Sequence, residues 1–257
     1  MTLLETKKLT RAFGGVVAVN NVDFTAESGM ITGLIGPNGA GKTTLFNNIT
    51  GLDKPTSGEV IFAGENITKL PSYKIARRGI GRTFQNIRLF KELTVLENVL
   101  LGLHFGTGVA FRPLAAINSY VRLLKERKEM LGKAYKWLDF MNLRKVENEL
   151  AKNLPYGHQR ELEIARALAT EPKLLFLDEP AAGMNPNETL QLIDTIKRIR
   201  SEGVSVVLIE HDMRLVMTVC DTITVLQYGN KIASGTPDEI KKNPRVIEAY
   251  LGGGSDE

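Results

Sequence analysis

Apolar and polar positions along the chain follow distinct rhythms. Near the N-terminus the period is short. β-rich runs around Leu3 to Leu9, Val16 to Thr25 and Met30 to Ile35 are separated by Gly14-Gly15 and Ser28-Gly29, which predicts strands joined by turns. The last run leads straight into a glycine-rich loop. A helix is expected from Lys42 to about Thr50, stopped by Gly51. A hairpin follows, with a strand from Gly58 to Phe62 and Ala63-Gly64-Glu65-Asn66 as its turn.

From about Pro71 to Thr170 the pattern turns helical. Thr94 and Glu97 have the spacing of a capping box. Ile117, Val121, Leu124, Leu131, Tyr135 and Leu138 recur at steps of three, four or seven, which draws one apolar stripe along a helix. A helical subdomain inserted into an α/β core is predicted. After Pro172 the α/β alternation resumes: an apolar strand at Lys173 to Leu177, a helix from Pro186 to about Ser201 and a strand at Val204 to Ile209, which together imply a parallel sheet. Thr222 to Gln227 and Lys231 to Ser234 read as a hairpin across Tyr228-Gly229-Asn230. Thr236-Pro237 and Asn243-Pro244 each open a short helix, and the tail from Gly252 to Glu257 is expected to lack fixed structure. The expected division is a core of residues 1–85 and 171–235, a helical part of about 86–170 and C-terminal helices and tail from 236 to 257.

Composition narrows the function classes. Hydrophobic residues are 43% and charged residues 24% of the chain, the mixture of a globular protein rather than a disordered or fibrous one. Met1 to Thr10 has no apolar core of the kind a secretion signal needs, so a cytosolic protein is expected. No run reaches the ~18 apolar residues that cross a bilayer. Val95 to Phe105 comes nearest and carries Glu97, Asn98 and His104, so any membrane role is expected to be peripheral. Cys220, the single cysteine, has no disulfide partner in the chain and lies among Val216, Met217 and Val219 like an ordinary buried thiol. The net charge of +4 does not call for a nucleic-acid partner, and none is expected. Charge concentrates between Arg112 and Lys136, where seven Lys or Arg residues face only Glu126 and Glu129; this segment is expected to lie near a membrane partner or anionic headgroups.

The chemistry starts at Gly36-Pro37-Asn38-Gly39-Ala40-Gly41-Lys42-Thr43-Thr44, which fits G-x-x-x-x-G-K-[ST] between a strand and a helix. Glycines let the backbone turn its amides toward one point, the helix N-terminus adds positive potential, and together they cradle nucleotide phosphates. Lys42 is placed to reach the terminal phosphates and the Thr43 hydroxyl to ligate Mg²⁺. Leu174-Leu175-Phe176-Leu177-Asp178-Glu179-Pro180 is an apolar strand ending in two carboxylates. Ligands bind beyond the carboxyl ends of strands in open α/β sheets. Asp178 is therefore expected to hold Mg²⁺ through water, and Glu179 to orient or deprotonate the attacking water.

Asn153-Leu154-Pro155-Tyr156-Gly157-His158-Gln159-Arg160, upstream of that acidic strand, resembles the L-S-G-G-Q-Q-R signature of ATP-binding cassette ATPases, with Pro155, Tyr156 and His158 as departures. The resemblance extends from Leu9 to about Leu251. It implies a P-loop NTPase core with a mixed, largely parallel sheet, an N-terminal antiparallel β subdomain and an inserted α-helical subdomain. It also implies that Gly157 and Gln159, at the head of a helix running to Ala169, meet ATP bound to a second cassette. Phe13 resembles the aromatic that stacks on adenine. Gln85, within Arg82-Thr83-Phe84-Gln85-Asn86, resembles the glutamine that links Mg²⁺ and the attacking water to the helical part. His211, after the strand Val204 to Ile209, resembles the histidine that contacts the γ-phosphate and the catalytic glutamate. Asn185 stands where the family often has aspartate.

The proline-tyrosine form of the signature, the insert from Leu103 to Lys136 and the run Gly79-Ile80-Gly81-Arg82-Thr83-Phe84-Gln85 are similar to the ATPase subunits of branched-chain amino-acid importers. The resemblance implies ATP and Mg²⁺ as ligands and a second such ATPase, identical or related, as partner. It further implies two transmembrane permease subunits, an extracytoplasmic solute-binding protein as indirect partner, and a place on the cytoplasmic face of the inner membrane. Two rivals follow from the same loop. A cassette protein of DNA repair or translation would carry a long coiled coil or two cassettes, and this chain has neither. A P-loop small-molecule kinase would give a phosphorylated acceptor in place of ADP and free phosphate.

Overall fold

The computed structural model describes residues 1–107 and 118–251, with the backbone alone for 104–107, 118–126 and 251. Ile117, the basic segment's start at Arg112 and the tail from Gly252 lie outside the described residues, as do the side chains of Val121 and Leu124. In chain order the strands and helices begin with β1 (Thr2–Phe13), β2 (Val16–Val22), β3 (Thr25–Glu27), β4 (Ile31–Ile35), α1 (Lys42–Ile49), β5 (Ser57–Phe62), β6 (Glu65–Asn66), α2 (Ser72–Arg77) and β7 (Ile80–Arg82). Then come α3 (Val95–Thr107), α4 (Asn118–Phe140) and α5 (Tyr156–Leu168). The chain closes with β8 (Leu174–Asp178), α6 (Pro186–Ser201), β9 (Ser205–Ile209), α7 (Met213–Val219), β10 (Thr222–Gln227), β11 (Asn230–Gly235), α8 (Pro237–Lys242) and α9 (Pro244–Leu251).

The chain forms two compact units, Met1–Arg82 with Lys173–Glu257, and Thr83–Pro172. The first holds both sheets. One is six-stranded in the order β11-β10-β4-β9-β8-β7, parallel from β10 to β7, with β11 antiparallel at the edge. The other is antiparallel, β2-β1-β5-β6 with β3 on β1. Every residue of β4, β8 and β9 is buried, which is why these strands read as continuous apolar runs rather than alternating ones. Phe46 of α1 meets Phe176 of β8 edge-on, ring centroids 4.5 Å apart, fastening the helix after the glycine-rich loop to the strand that ends in the acids.

The second unit packs α3, α4 and α5 around Val95, Val99, Leu103, Leu138, Leu162 and Leu168, all essentially without solvent contact. The capping box at the head of α3 forms as its spacing predicts: the Thr94 amide donates to Glu97 Oε2 at 2.8 Å, and the Glu97 amide donates to Thr94 Oγ1 at 3.2 Å.

Within the first unit the structure departs from the sequence expectations in four places. β7 lies inside the stretch expected to be helical, because Ile80-Gly81-Arg82 is too short to show a period and its strand identity comes from pairing with Leu174, Leu175 and Phe176. Glu65 and Asn66, expected in a turn, pair back onto Phe62 and Ile61 as β6. The run expected from Val16 to Thr25 divides, and β3 pairs with β1 on its own. α7 was not foreseen; Asp212 starts it by accepting the amides of Arg214 and Leu215. Cys220 closes that helix in apolar surroundings, where burial pushes its thiol up to about 12. Among the described residues no helix is long and apolar enough to cross a membrane.

Candidate functional site

The phosphate-loop sequence joins the buried strand β4 to α1. Gly36 and Gly41 are required by what surrounds them. A Cβ on Gly36 would stand 2.1 Å from the Leu226 carbonyl oxygen, and one on Gly41, at φ +95°, 2.3 Å from that of Ala18. The loop is thereby clamped between β10 and β2, and the Gly229 amide adds a bond to the Ala40 carbonyl at 3.0 Å. Lys42, the first residue of α1, turns back over the loop and donates from Nζ to the carbonyls of Gly36 at 2.7 Å and Pro37 at 3.0 Å. Burial lowers its pKa from the ordinary lysine value, while the nearby Glu179 and Asp178 carboxylates oppose that shift. Thr43 follows with an exposed side chain, and Asn38 and Gly39 form the exposed tip of the loop.

Asp178 ends β8 almost fully buried. Its Oδ2 accepts from Arg82 at 3.0 Å, and the same guanidinium donates to Asn47 Oδ1 at 2.8 Å and Thr50 Oγ1 at 2.9 Å while lying 4.7 Å from the Phe46 ring centre. The last residue of β7 thus ties the acidic strand end to α1. Glu179 comes next at φ +45°, a left-handed conformation that a residue with a Cβ adopts only where its neighbours hold it. Its amide donates to the Ile209 carbonyl at 2.9 Å. His211, exposed just past β9, places Nδ1 3.9 Å from Glu179 Oε2.

Within this first unit the structure therefore gathers Lys42, Asp178, Glu179 and His211 at the carboxyl ends of neighbouring parallel strands. Phe13, half-exposed at the far end of β1, pairs with Val16, and the Arg11 guanidinium lies 4.2 Å over its ring. Asn185 acts as the N-cap of α6, accepting the amides of Asn187 and Glu188.

Gln85, Gly157 and Gln159 belong to the second unit. α5 begins at Tyr156, earlier than expected, so Gly157 lies in its first turn. The Gln159 amide donates to the Pro155 carbonyl at 3.0 Å and its side chain to the Leu154 carbonyl at 2.8 Å, which fixes the chain's entry into the helix. Beneath this helix start lies the ion pair Arg160–Glu163, 2.9 Å apart and sealed from solvent. Arg160 also donates to the carbonyls of Phe84 at 2.7 Å and Gln85 at 2.9 Å and to the Tyr156 hydroxyl at 3.3 Å, while Glu163 accepts the Arg88 amide at 3.1 Å. Burial raises the Glu163 carboxyl above its usual range, opposed by the Arg88 amide and the Arg160 charge.

Sequence reasoning missed the partners that hold these groups: Arg82, Glu163 and Glu210. Glu210 is 1% exposed and accepts the Ala181 amide at 2.8 Å and the His211 amide at 3.1 Å. A charged residue directly after an uninterrupted apolar strand was the available signal for Glu210. Arg82 and Glu163 are spelled like surface charges and gave none.

Comparison with known proteins agrees with this geometry. Residues 19–182 match the model of the family described as ABC transporter, and residues 230–256 match that of the branched-chain amino acid ATP-binding cassette transporter. The chain is 49% identical to the high-affinity branched-chain amino acid transport ATP-binding protein BraF of Pseudomonas aeruginosa, over 97% of this chain and 98% of the relative. It is 47% identical to the corresponding protein LivG of Escherichia coli, with 97% and 98% covered. Among solved structures, a nucleotide-free ATP-binding cassette from an ABC transporter superposes with a TM-score of 0.83 at 34% identity, covering 97% of this chain and 99% of that one. A dimeric cassette in a post-hydrolysis state, bound to ADP and Pi, gives 0.75 at 27% identity, covering 91% and 99%. The chain belongs to the ABC transporter family, as one of its ATP-hydrolysing cassettes.

Proposed function

We propose that this cassette hydrolyses Mg·ATP to drive uptake of branched-chain amino acids through separate membrane-spanning permease subunits, from the cytoplasmic face of the inner membrane. The observation that carries the reading is near-complete coverage at 49% identity by a relative whose name states that transport, joined to a loop, two strand-end acids and a histidine in one unit.

Lys42 now bonds the loop's own carbonyls, and the terminal phosphates of ATP would take over those bonds. The backbone N–H groups from Asn38 to Thr44 supply the cradle. The Thr43 hydroxyl and Asp178 carboxylate are hard oxygen donors that suit magnesium. Among the described residues no group of three or more His, Cys, Asp or Glu could hold a metal by itself, as fits an ion carried largely by phosphates. When bound, magnesium neutralises charge that develops on the phosphates. Glu179 orients the attacking water and takes its proton, and His211 beside it contacts the γ-phosphate.

Phe13 stacks on adenine, Gln85 reports the state of the site to the helical unit, and Gly157 and Gln159 at the head of α5 close over ATP held by a second cassette. The dimeric relative with ADP and Pi supports such a pair. The pair is either two copies of this chain or this chain with a related ATPase. The permease comprises two subunits, with an extracytoplasmic solute-binding protein as indirect partner.

The test is reconstitution of the chain with the permease subunits that copurify from its native membrane, followed by measurement of labelled leucine, isoleucine and valine uptake. Uptake that requires ATP and stops with Glu179→Gln is expected. ATP hydrolysis that moves none of the three would sink the assignment.

A further inference from the structure

We infer that Glu210 is a positioning residue for hydrolysis, locking the loop that carries Glu179 to the loop that carries His211 so that the two move as one body. The inference rests on the roles proposed above for those two residues.

β8 and β9 run side by side, Asp178 opposite Ile209, so their loops leave the sheet together. Backbone pairing joins them once more past the sheet, where the Glu179 amide reaches the Ile209 carbonyl. Beyond that bond Glu210 joins them through both of its oxygens, beside the longer approach of His211 Nδ1 to Glu179 Oε2 at 3.9 Å. Glu210 Oε1 takes the Ala181 amide at 2.8 Å, on the chain that has just left Glu179, while Oε2 takes the amides of His211 at 3.1 Å and Asp212 at 3.5 Å. The two oxygens thus face two different loops. Asp212 anchors its own loop separately by capping α7, so Glu210 is not needed to form that helix.

A carboxylate is costly at a position 1% exposed, where burial raises the Glu210 carboxyl above the usual range. It does there what a neutral amide cannot, since a carboxylate offers acceptors on both sides. Glutamine would offer one oxygen and turn N–H groups toward a backbone N–H. Either orientation of the amide breaks one link of the clamp. Glu179, at φ +45°, then loses one of the restraints that hold its unfavourable backbone.

The experiment uses the chain assembled with its permease. Steady-state ATP hydrolysis, Mg·ATP binding and the thermal unfolding midpoint are compared for the parent, Glu210→Gln, Glu210→Asp and Glu179→Gln. For Glu210→Gln, kcat should fall roughly 10- to 100-fold, the cost of a small misplacement of reacting groups, with KM and the midpoint near the parent's. Glu210→Asp, which keeps both oxygens on a shorter stem, should recover part of kcat. If Glu210→Gln does not fold, Glu210→Asp decides, through reduced kcat at unchanged KM. Parent kcat in a folded variant, a joint loss of kcat, KM and midpoint, or failure of both variants to fold would each overturn the inference. Glu179→Gln separates the cases. If it hydrolyses ATP at the parent rate, the proposed base is wrong whatever Glu210 does; if it is inactive while Glu210→Gln keeps the parent kcat, only the clamp is wrong.

Discussion

The chain starts a helix beside a glycine in two chemically important places, α1 after Gly41 and α5 around Gly157, and the two are built on opposite plans. At α1 the proposed roles fall on side chains as well as on the loop's amides, and their surroundings leave little freedom. Lys42 folds over its own loop, Gly36 and Gly41 stand where no Cβ fits, and Arg82 ties Asp178 to the helix. At α5 the proposed contact with ATP falls to the backbone, because the first turn of any helix directs its amides out of the end. There Pro155, Tyr156 and His158 replace the signature's usual residues. What sits underneath is a sealed ion pair, Arg160–Glu163, that grips the backbone at Phe84, Gln85 and Arg88. On the proposed roles, side chains are free to change where main chain meets ligand, provided the support below stays fixed, and are not where a side-chain atom does the chemistry.

Glu179→Gln tests the first half of that contrast most severely. Hydrolysis should fall by about 10²–10⁴-fold while Mg·ATP binding persists, measured by phosphate release and by nucleotide titration. A variant with intact turnover would move the chemistry off this side chain.

Arg160→Met tests the support beneath α5. It strands a carboxylate that is 1% exposed and should cost the second unit about 3–5 kcal/mol in denaturant unfolding. The direction with pH follows from Glu163, whose folded-state carboxyl lies above its unfolded value. A group so shifted takes up protons more readily when folded, so stability falls as pH rises through its folded range. The penalty in Arg160→Met should therefore shrink on going from about pH 8 to about pH 5. A penalty independent of pH would mean that packing, not charge, dominates there.

A smaller change sharpens the comparison at α1. Arg82→Lys keeps the charge but has a single ammonium for Asp178, Asn47 and Thr50, and turnover should drop by about tenfold in a phosphate-release assay. The smallest effect belongs to Tyr156→Phe, which removes one hydroxyl acceptor from Arg160. It should cost about 1 kcal/mol or less by thermal unfolding and leave hydrolysis near the parent rate. A large loss of activity there would show that the substituted residue has become part of the machinery.

How legible each element was depended on whether its cause lay nearby in the sequence. β4, the loop and α1 announce themselves through an apolar run followed by glycines, and α6 matches its expected span because Asn185, Pro186 and Glu188 spell a complete start signal. β7 was invisible, since its three residues become a strand only against β8. The same holds within the site. Lys42, Asp178 and Glu179 were readable from local pattern, whereas Arg82, Glu163 and Glu210 owe their importance to partners dozens of residues away or in a neighbouring loop. Pattern shows which groups are candidates for chemistry; what holds them in place becomes visible only in three dimensions.

β4 lies inside the parallel sheet, and both of its neighbours, β9 and β10, come from the last quarter or so of the chain. A ribosome therefore extrudes the phosphate loop long before the strands that flank it exist, and Gly36 waits for Leu226 to be translated before its conformation is enforced. Order of synthesis thus leaves the loop's clamp incomplete until β10 has been made.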